Sequence, residues 1–149
     1  MSKKKYPARV RFFVADDIRS DGPKPMIFGL FSDDSVSIQM APEAPEPTRE
    51  KPVVLQGLAI LVSFIDCRGP FIVETSLYQP DGSALFEKQK LEDVVDTPKG
   101  ADKNVFNFIA KFMPFVVPLF GKYRFVIQLD KKEFSYEFAI VRHALPADS

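Results

Sequence analysis

The chain of 149 residues has no tryptophan, one cysteine and one histidine. A lone thiol excludes an internal disulfide, and a lone imidazole excludes a histidine-rich metal site. Twenty basic residues balance twenty acidic ones for a formal net charge of zero. No overall field therefore draws the molecule to nucleic acid or to an anionic membrane. Long apolar runs are missing as well. The most hydrophobic stretch, Val53 to Ile65, is interrupted by Gln56 and Ser63, whereas a membrane helix needs about 20 apolar residues. There is no phosphate-cradling glycine loop, no EF-hand spacing and no serine-centred elbow.

What is present is a large apolar content on a chain that turns often: fifteen Phe and thirteen Pro, with 46% hydrophobic and 27% charged residues. This is a globular composition at the size of one domain. Lys3, Lys4 and Lys5 open the chain without an apolar segment behind them, so residues 1–7 are expected to form a flexible tail rather than a secretory signal. With the unpaired thiol, that points to the cytoplasm.

The dominant period is two. Tyr123, Phe125, Ile127 and Leu129 alternate with Lys122, Arg124, Val126 and Gln128. After a polar connection Asp130-Lys131-Lys132-Glu133, Phe134, Tyr136, Phe138 and Ile140 do the same. Two such runs around a short polar link form a β-hairpin with one face on a core. Val105 to Phe112 repeats the pattern, with Phe106, Phe108, Ala110 and Phe112 on one face. Phe71 to Tyr78 ends at Gln79-Pro80-Asp81-Gly82, where Pro fixes φ and Gly accepts a positive one. Ser83 to Gln89 is its expected partner at a sheet edge. Further strands are expected at Arg9 to Val14, at Pro25 to Phe31 after the turn Ser20-Asp21-Gly22-Pro23, and at Ser35 to Met40. Helix is limited to a turn or two around Leu91 to Val95.

Two segments depart from the pattern. Residues 41–52 hold Pro42, Pro45, Pro47 and Pro52 and read as a Pro-rich loop. Residues 92–104 read as a second long loop. The long strand Val53 to Asp66 is apolar on both faces, with Val54, Leu58, Ile60, Val62 and Phe64 on one and Val53, Leu55, Ala59, Leu61 and Ile65 on the other. A sandwich strand is normally apolar on one side only. The apolar stretch Phe112 to Phe120 is the expected intrachain cover; a second subunit or partner is the alternative.

Gly121-Lys122-Tyr123-Arg124-Phe125 places a turn-forming Gly two residues before a Tyr that opens a core strand. This resembles the tyrosine corner of immunoglobulin-like sandwiches, in which the Tyr hydroxyl bonds to backbone upstream. Phe125 stands where antibody domains have a Cys, and its full burial contributes about 2–3 kcal/mol. The expected fold is one all-β domain, an immunoglobulin-like antiparallel β-sandwich of about eight or nine strands with little helix.

Chemistry-bearing residues are few. A Cys67–His143 dyad needs the two side chains within about 3 Å, but the strand order implied places them at opposite ends of the sandwich. Asp16-Asp17 and Asp33-Asp34, with Asp21 nearby, offer oxygen ligands or an acid–base pair. Adjacent aspartates also serve as backbone caps at strand ends and turns. Asp66 and Arg68 occupy the turn after the long strand.

Val14-Ala15-Asp16-Asp17-Ile18-Arg19, followed by Lys24, Phe28-Gly29-Leu30-Phe31, Val36 and Ile38, resembles the opening of a family of small bacterial proteins without an assigned activity. Its members often carry Cys where this chain has Ala15 and Gly where it has Pro23. The resemblance covers about Arg11 to Ile38. It implies a β-sandwich of bacterial cytoplasmic origin and marks Asp16, Asp17 and Arg19 as a recurring unit, read here as an Asp–Arg clasp at the first strand end. The expected function is a non-enzymatic protein-interaction module that binds a protein partner or self-associates through the long apolar strand, without cofactor, metal, nucleic acid or membrane. Asp16, Asp17, Arg19, Asp66 and Arg68 are its candidate site residues. A small-ligand or carbohydrate binder using Asp66, Arg68, Asp81 and Lys131 is one alternative, and an enzyme using Asp16 and Asp17 is another.

Overall fold

The computed structural model describes residues 5–19, 25–95 and 105–144. Within them the chain forms eleven strands. The first sheet has the order β2-β1-β5-β8, from Met26–Leu30, Arg9–Arg19, Leu58–Ile65 and Val105–Phe112. The second has the order β3-β11-β10-β6-β7, from Ser35–Met40, Lys132–Ala144, Gly121–Leu129, Phe71–Tyr78 and Ala84–Val95. A short ribbon joins β4, Val53–Leu55, to β9, Phe115–Val117. All pairings are antiparallel except β3 with β11, which is parallel.

The alternating residues of the two sheets meet in one core. Val14, Leu58, Ile60, Val62 and Phe64 come from the first sheet; Phe71, Val73, Leu77, Phe125, Ile127, Phe138 and Ile140 come from the second. Aromatic contacts run across it, from Phe112 to Phe115 at 5.5 Å, Phe115 to Tyr123 at 6.2 Å and Tyr123 to Phe138 at 5.9 Å. They continue from Phe138 to Tyr136 at 5.9 Å and from Tyr136 to Phe12 at 5.1 Å. Tyr123 is fully buried, and its hydroxyl donates to the Leu119 carbonyl oxygen at 2.6 Å. That is the expected tyrosine corner. With the order β3-β11-β10-β6-β7 facing β1-β5-β8, it makes the fold an immunoglobulin-like β-sandwich. Phe125 is buried as expected.

Several expectations are corrected. Eleven strands stand in place of the expected eight or nine because Val53 to Asp66 is divided into β4 and β5 and the stretch Phe112 to Phe120 contributes β9. Val53 to Asp66 breaks at Gln56-Gly57, where an added Cβ on Gly57 would lie 3.3 Å from Met113 Cγ and 3.5 Å from the Asp16 carbonyl. The break changes the phase. Val53 and Leu55 pack on the core while Val54 is exposed, so Val54 does not share a face with Leu58. Phe112 to Phe120 does not cover the outer face of β5. Its middle forms β9, which alternates Phe115 and Val117 into the main core and Val116 outward. The outer face of β5 is buried through Ala59 and Leu61 against Ala15 and Ile18, with Phe13 and Ile109 packed beside them. Because β5 lies between β1 and β8, the long apolar strand has no free edge.

The segment Leu91 to Val95 is strand, not helix, since β7 runs on along β6 to pair Val95 with Phe71. Residues 92–95 of the expected 92–104 loop are therefore strand, and residues 96–104 lie outside the described ones, as does the turn 20–23. The last hairpin closes through Asp130 and Lys131 alone, because Leu129 pairs with Lys132. Asp130 takes a φ of 55°, and its carboxylate accepts the Ile72 N–H at 2.9 Å. The tail is docked from Lys5 onward. Lys5 and Arg68 exchange backbone hydrogen bonds of 2.8 and 2.9 Å, and Tyr6 packs on Phe71 with ring centroids 5.3 Å apart. Residues 41–52 form the expected irregular arm. It is tied down by Arg142 donating to the Ala41 and Pro42 carbonyls and by Arg49 paired with Asp81.

Tyr123→Phe leaves the Leu119 carbonyl without its donor and is expected to cost about 1–2 kcal/mol in urea unfolding. Burial also pushes the Tyr123 phenol from 10.0 up to about 12. Its contribution is thus complete below the unfolded-state value and is lost as pH rises through the folded one. Tyr123→Phe should therefore remove part of the stability loss seen above about pH 10 in wild type, measured as unfolding midpoint against pH.

Candidate functional site

β1 and β2 form the end of the first sheet where the sequence motif lies. Ala15 pairs with Leu30, Asp17 with Phe28 and Arg19 with Met26, which sets Asp16 opposite Gly29. Gly29 takes a φ of 67°, and a Cβ there would collide with Oδ2 of Asp16 and lie 2.8 Å from its Cγ. The Asp16 carboxylate thus occupies the space a side chain at 29 would need. Only Gly meets both demands, the left-handed backbone and the missing side chain.

The two aspartates have different surroundings. The Asp17 carboxylate accepts the Ile18 N–H at 2.9 Å, pairs with Arg19 Nε at 3.4 Å and with Lys111 Nζ at 3.4 Å. Burial disfavours its ionised form, but the Ile18 N–H, Lys111 and Arg19 outweigh that and hold the carboxyl below its usual range. This is the expected Asp–Arg clasp, with Lys111 of β8 as an additional partner. Asp16 is exposed, and no donor among the described residues bonds its carboxylate.

Beside this pair opens a cavity of about 620 Å³. Asp16 and Gln56 stand on its wall with Phe31, Val36, Leu55 and Met113. It exists because the chain crosses from β2 to β3 through Phe31 while β4 turns away from β5 at Gln56-Gly57. Among the described residues nothing pairs with the outer edge of the neighbouring strand β2, and all five of its residues are exposed. Met26 is 55% accessible, Ile27 37%, Phe28 41% and Leu30 48%. Arg19 lies over the Phe28 ring at 5.2 Å.

The other candidate residues sit elsewhere. β5 separates Asp66 and Arg68 from the Asp16 end by about 25 Å at the usual rise per residue. Asp66 has a φ of 59° and bonds Lys5 Nζ at 2.7 Å. Lys132 lies over the Tyr6 ring at 5.2 Å, so the hairpin tip shares this end. Asp81 follows the far end of β6 and bonds Arg49 and the Ser83 hydroxyl. Of the four residues of the ligand-binding alternative, Asp81 therefore lies apart from Asp66, Arg68 and the hairpin tip that carries Lys131. Cys67 is buried, its Sγ 3.7 Å from the Phe64 carbonyl oxygen, and burial together with Asp66 pushes the thiol up. His143 pairs with Gln39 on β11, about 36 Å along that strand from the hairpin tip. Asp33 accepts the Ser35 N–H at 3.2 Å and Asp34 accepts the Tyr136 hydroxyl, so this pair caps the crossover into β3. Among the described residues no group of three or more His, Cys, Asp or Glu is placed to hold a metal ion, and no helix is long and apolar enough to cross a membrane.

No protein-family model matches the chain, and no curated protein is similar to it. The exposed β2 edge and the cavity are features that sequence reasoning missed. The available signals were Met26-Ile27-Phe28-Gly29-Leu30, which lacks the polar alternation of its neighbours, and Gly57 within an otherwise apolar run.

Gly29→Ala should destabilise the fold by about 1–3 kcal/mol, and Asp16→Ala in the same chain should recover the steric part but not the backbone strain. A double-mutant cycle in urea reads the coupling. Asp17→Asn should lower stability at neutral pH and reduce the acid-induced loss. The depressed folded-state value makes Asp17 contribute above its ordinary 3.8, a contribution lost as pH falls through the folded value. Unfolding midpoints between about pH 2 and 7 check it.

Proposed function

We propose that this protein is a non-enzymatic interaction module that takes an extended strand of a protein partner onto the free edge of β2. The carrying observation is the exposure of four large apolar side chains on an edge strand that, among the described residues, pairs with β1 alone. Sheet edges are usually blunted by Lys, Pro or an inward charge, and Met26–Leu30 contains none of these. The edge strand β3, by contrast, presents Ser35, Ser37 and Gln39 between its buried Val36 and Ile38. Strand addition uses backbone hydrogen bonds for affinity and alternate side chains for selectivity. A second copy of the chain is the other occupant this edge fits, and zero formal net charge offers no repulsion to it.

The Asp17 clasp supports this reading over an acid–base pair, since three cationic or N–H partners keep that carboxylate ionised. Arg19 above Phe28 then orients the edge rather than a substrate. Membership of the small bacterial family rests on the Arg11 to Ile38 residues. A cytoplasmic setting rests on a free, buried Cys67, which suits a reducing compartment.

Wild type and Phe28→Lys, tagged identically, should differ in affinity capture from lysate of the source organism. One stoichiometric protein held by wild type at moderate salt and lost from the variant is the expected result. Equal recovery by both chains, with light scattering showing both monomeric, rejects the β2 edge as the binding surface.

A further inference from the structure

The cavity beside Asp16 has a composition that selects a ligand class. At about 620 Å³ it falls in the range of small-molecule sites, about 300–1,000 Å³. Phe31, Val36, Leu55 and Met113 give it an apolar wall. The polar residues that line it, Asp16, Asp17, Ser37 and Gln56, all carry hydrogen-bond acceptors. No Lys, Arg or His lines it among the described residues. Asp17, at the margin, is already neutralised by Arg19 and Lys111, so its charge is spent within the fold. Asp16 is not. Its carboxylate is held over Gly29, where no side chain stands and the backbone takes a φ of 67° that glycine adopts freely. That placement leaves a carboxylate with no bonded donor among the described residues beside an apolar recess.

We propose that this cavity binds a primary alkylammonium group, with the ammonium on Asp16 and the alkyl stem against Phe31, Leu55 and Met113. A divalent cation would demand six or more oxygen ligands, which a single uncommitted carboxylate does not supply. A planar guanidinium is best matched by a bidentate carboxylate. The scattered acceptors of Asp16, Ser37 and Gln56 instead suit the three rotatable donors of an ammonium. The recess suits an alkyl stem because its apolar residues come from four elements: the β2–β3 crossover, β3, β4 and the β8–β9 turn. The ligand is either a free alkylamine or the lysine side chain of a bound polypeptide; both present the same chemistry. The site stands independently of strand addition at β2, because it needs no sheet edge.

Backbone amide spectra of the nitrogen-15-labelled full chain, titrated at neutral pH, test this. The probes are n-pentylammonium chloride, 1-pentanol and Nα-acetyl-lysine N-methylamide. Saturable shifts at Phe31, Leu55, Gly57 and Met113 are expected with pentylammonium. Binding should weaken about tenfold or more for 1-pentanol and for Asp16→Asn, the scale of a lost charge-assisted contact. Asp66→Asn, a change in a paired carboxylate at the other end of β5, should leave binding unaltered. Binding of the blocked lysine as tightly as the free amine identifies a polypeptide side chain as the source; binding of the free amine alone identifies a small amine. The proposal is overturned by absent shifts at the cavity, by equal affinity for pentanol and pentylammonium, or by an Asp16→Asn chain that stays folded and binds as wild type does. Loss of protein capture in Phe28→Lys, by contrast, bears only on the β2 edge.

Discussion

Tyr123 ties the second sheet to the β4–β9 ribbon. Its hydroxyl satisfies the Leu119 carbonyl at the entry to β10, and its ring packs between Phe115 of the β9 ribbon and Phe138 of β11. A buried phenol without an acceptor would carry a desolvation cost, so the ring can sit at the centre of the core only if the backbone turns at Leu119. Gly121, with φ 135°, supplies that turn beneath Pro80. The corner thereby fixes where β10 starts. That position sets its pairing with β6 and β11 and the face each residue presents.

The second constraint is the break at Gln56-Gly57. An unbroken strand would extend the first sheet past Asp16 and close the end of the sandwich. Instead β4 leaves to pair with β9, Met113 packs against Gly57, and the space between Asp16, Phe31 and Leu55 stays open. A backbone irregularity in β5 therefore produces the recess, and a second one at Gly29 positions the carboxylate that faces it. At Gly29 the missing side chain matters because the Asp16 carboxylate occupies that volume, whereas at Gly57 a Cβ would only press on Met113 Cγ at 3.3 Å.

Ion pairs play a smaller part in the framework. Lys5–Asp66, Arg19–Asp17 and Lys111–Asp17 have at least one largely exposed partner, and pairs of this kind contribute about 0–1 kcal/mol each. Their value is positional. Lys5 and Arg68 lock the N-terminal segment beside β5 through backbone bonds. Arg142 and Arg49 hold the Pro-rich arm against β11 and the β6–β7 turn. The arm thus has a defined course without secondary structure of its own.

The alternation of Tyr123 to Leu129, Phe134 to Ile140, Phe71 to Tyr78, Val105 to Phe112 and Ser35 to Met40 was legible in the sequence, because period two follows from strand geometry alone. The tyrosine corner was legible for the same reason: Gly121 and Tyr123 act on their immediate neighbours. The Asp17–Arg19 clasp lies within three residues and was readable too. Lys111 joining it was not, since β8 comes alongside through β5. Tertiary structure decided the split of Val53 to Asp66, the placement of Leu91 to Val95 as strand, and the docking of Lys5 and Tyr6. Each depends on a partner distant in the chain. It also decided that Met26–Leu30, locally an ordinary apolar strand, ends on a free edge, because sheet order is set by which strands reach β5 and not by the strand's own residues.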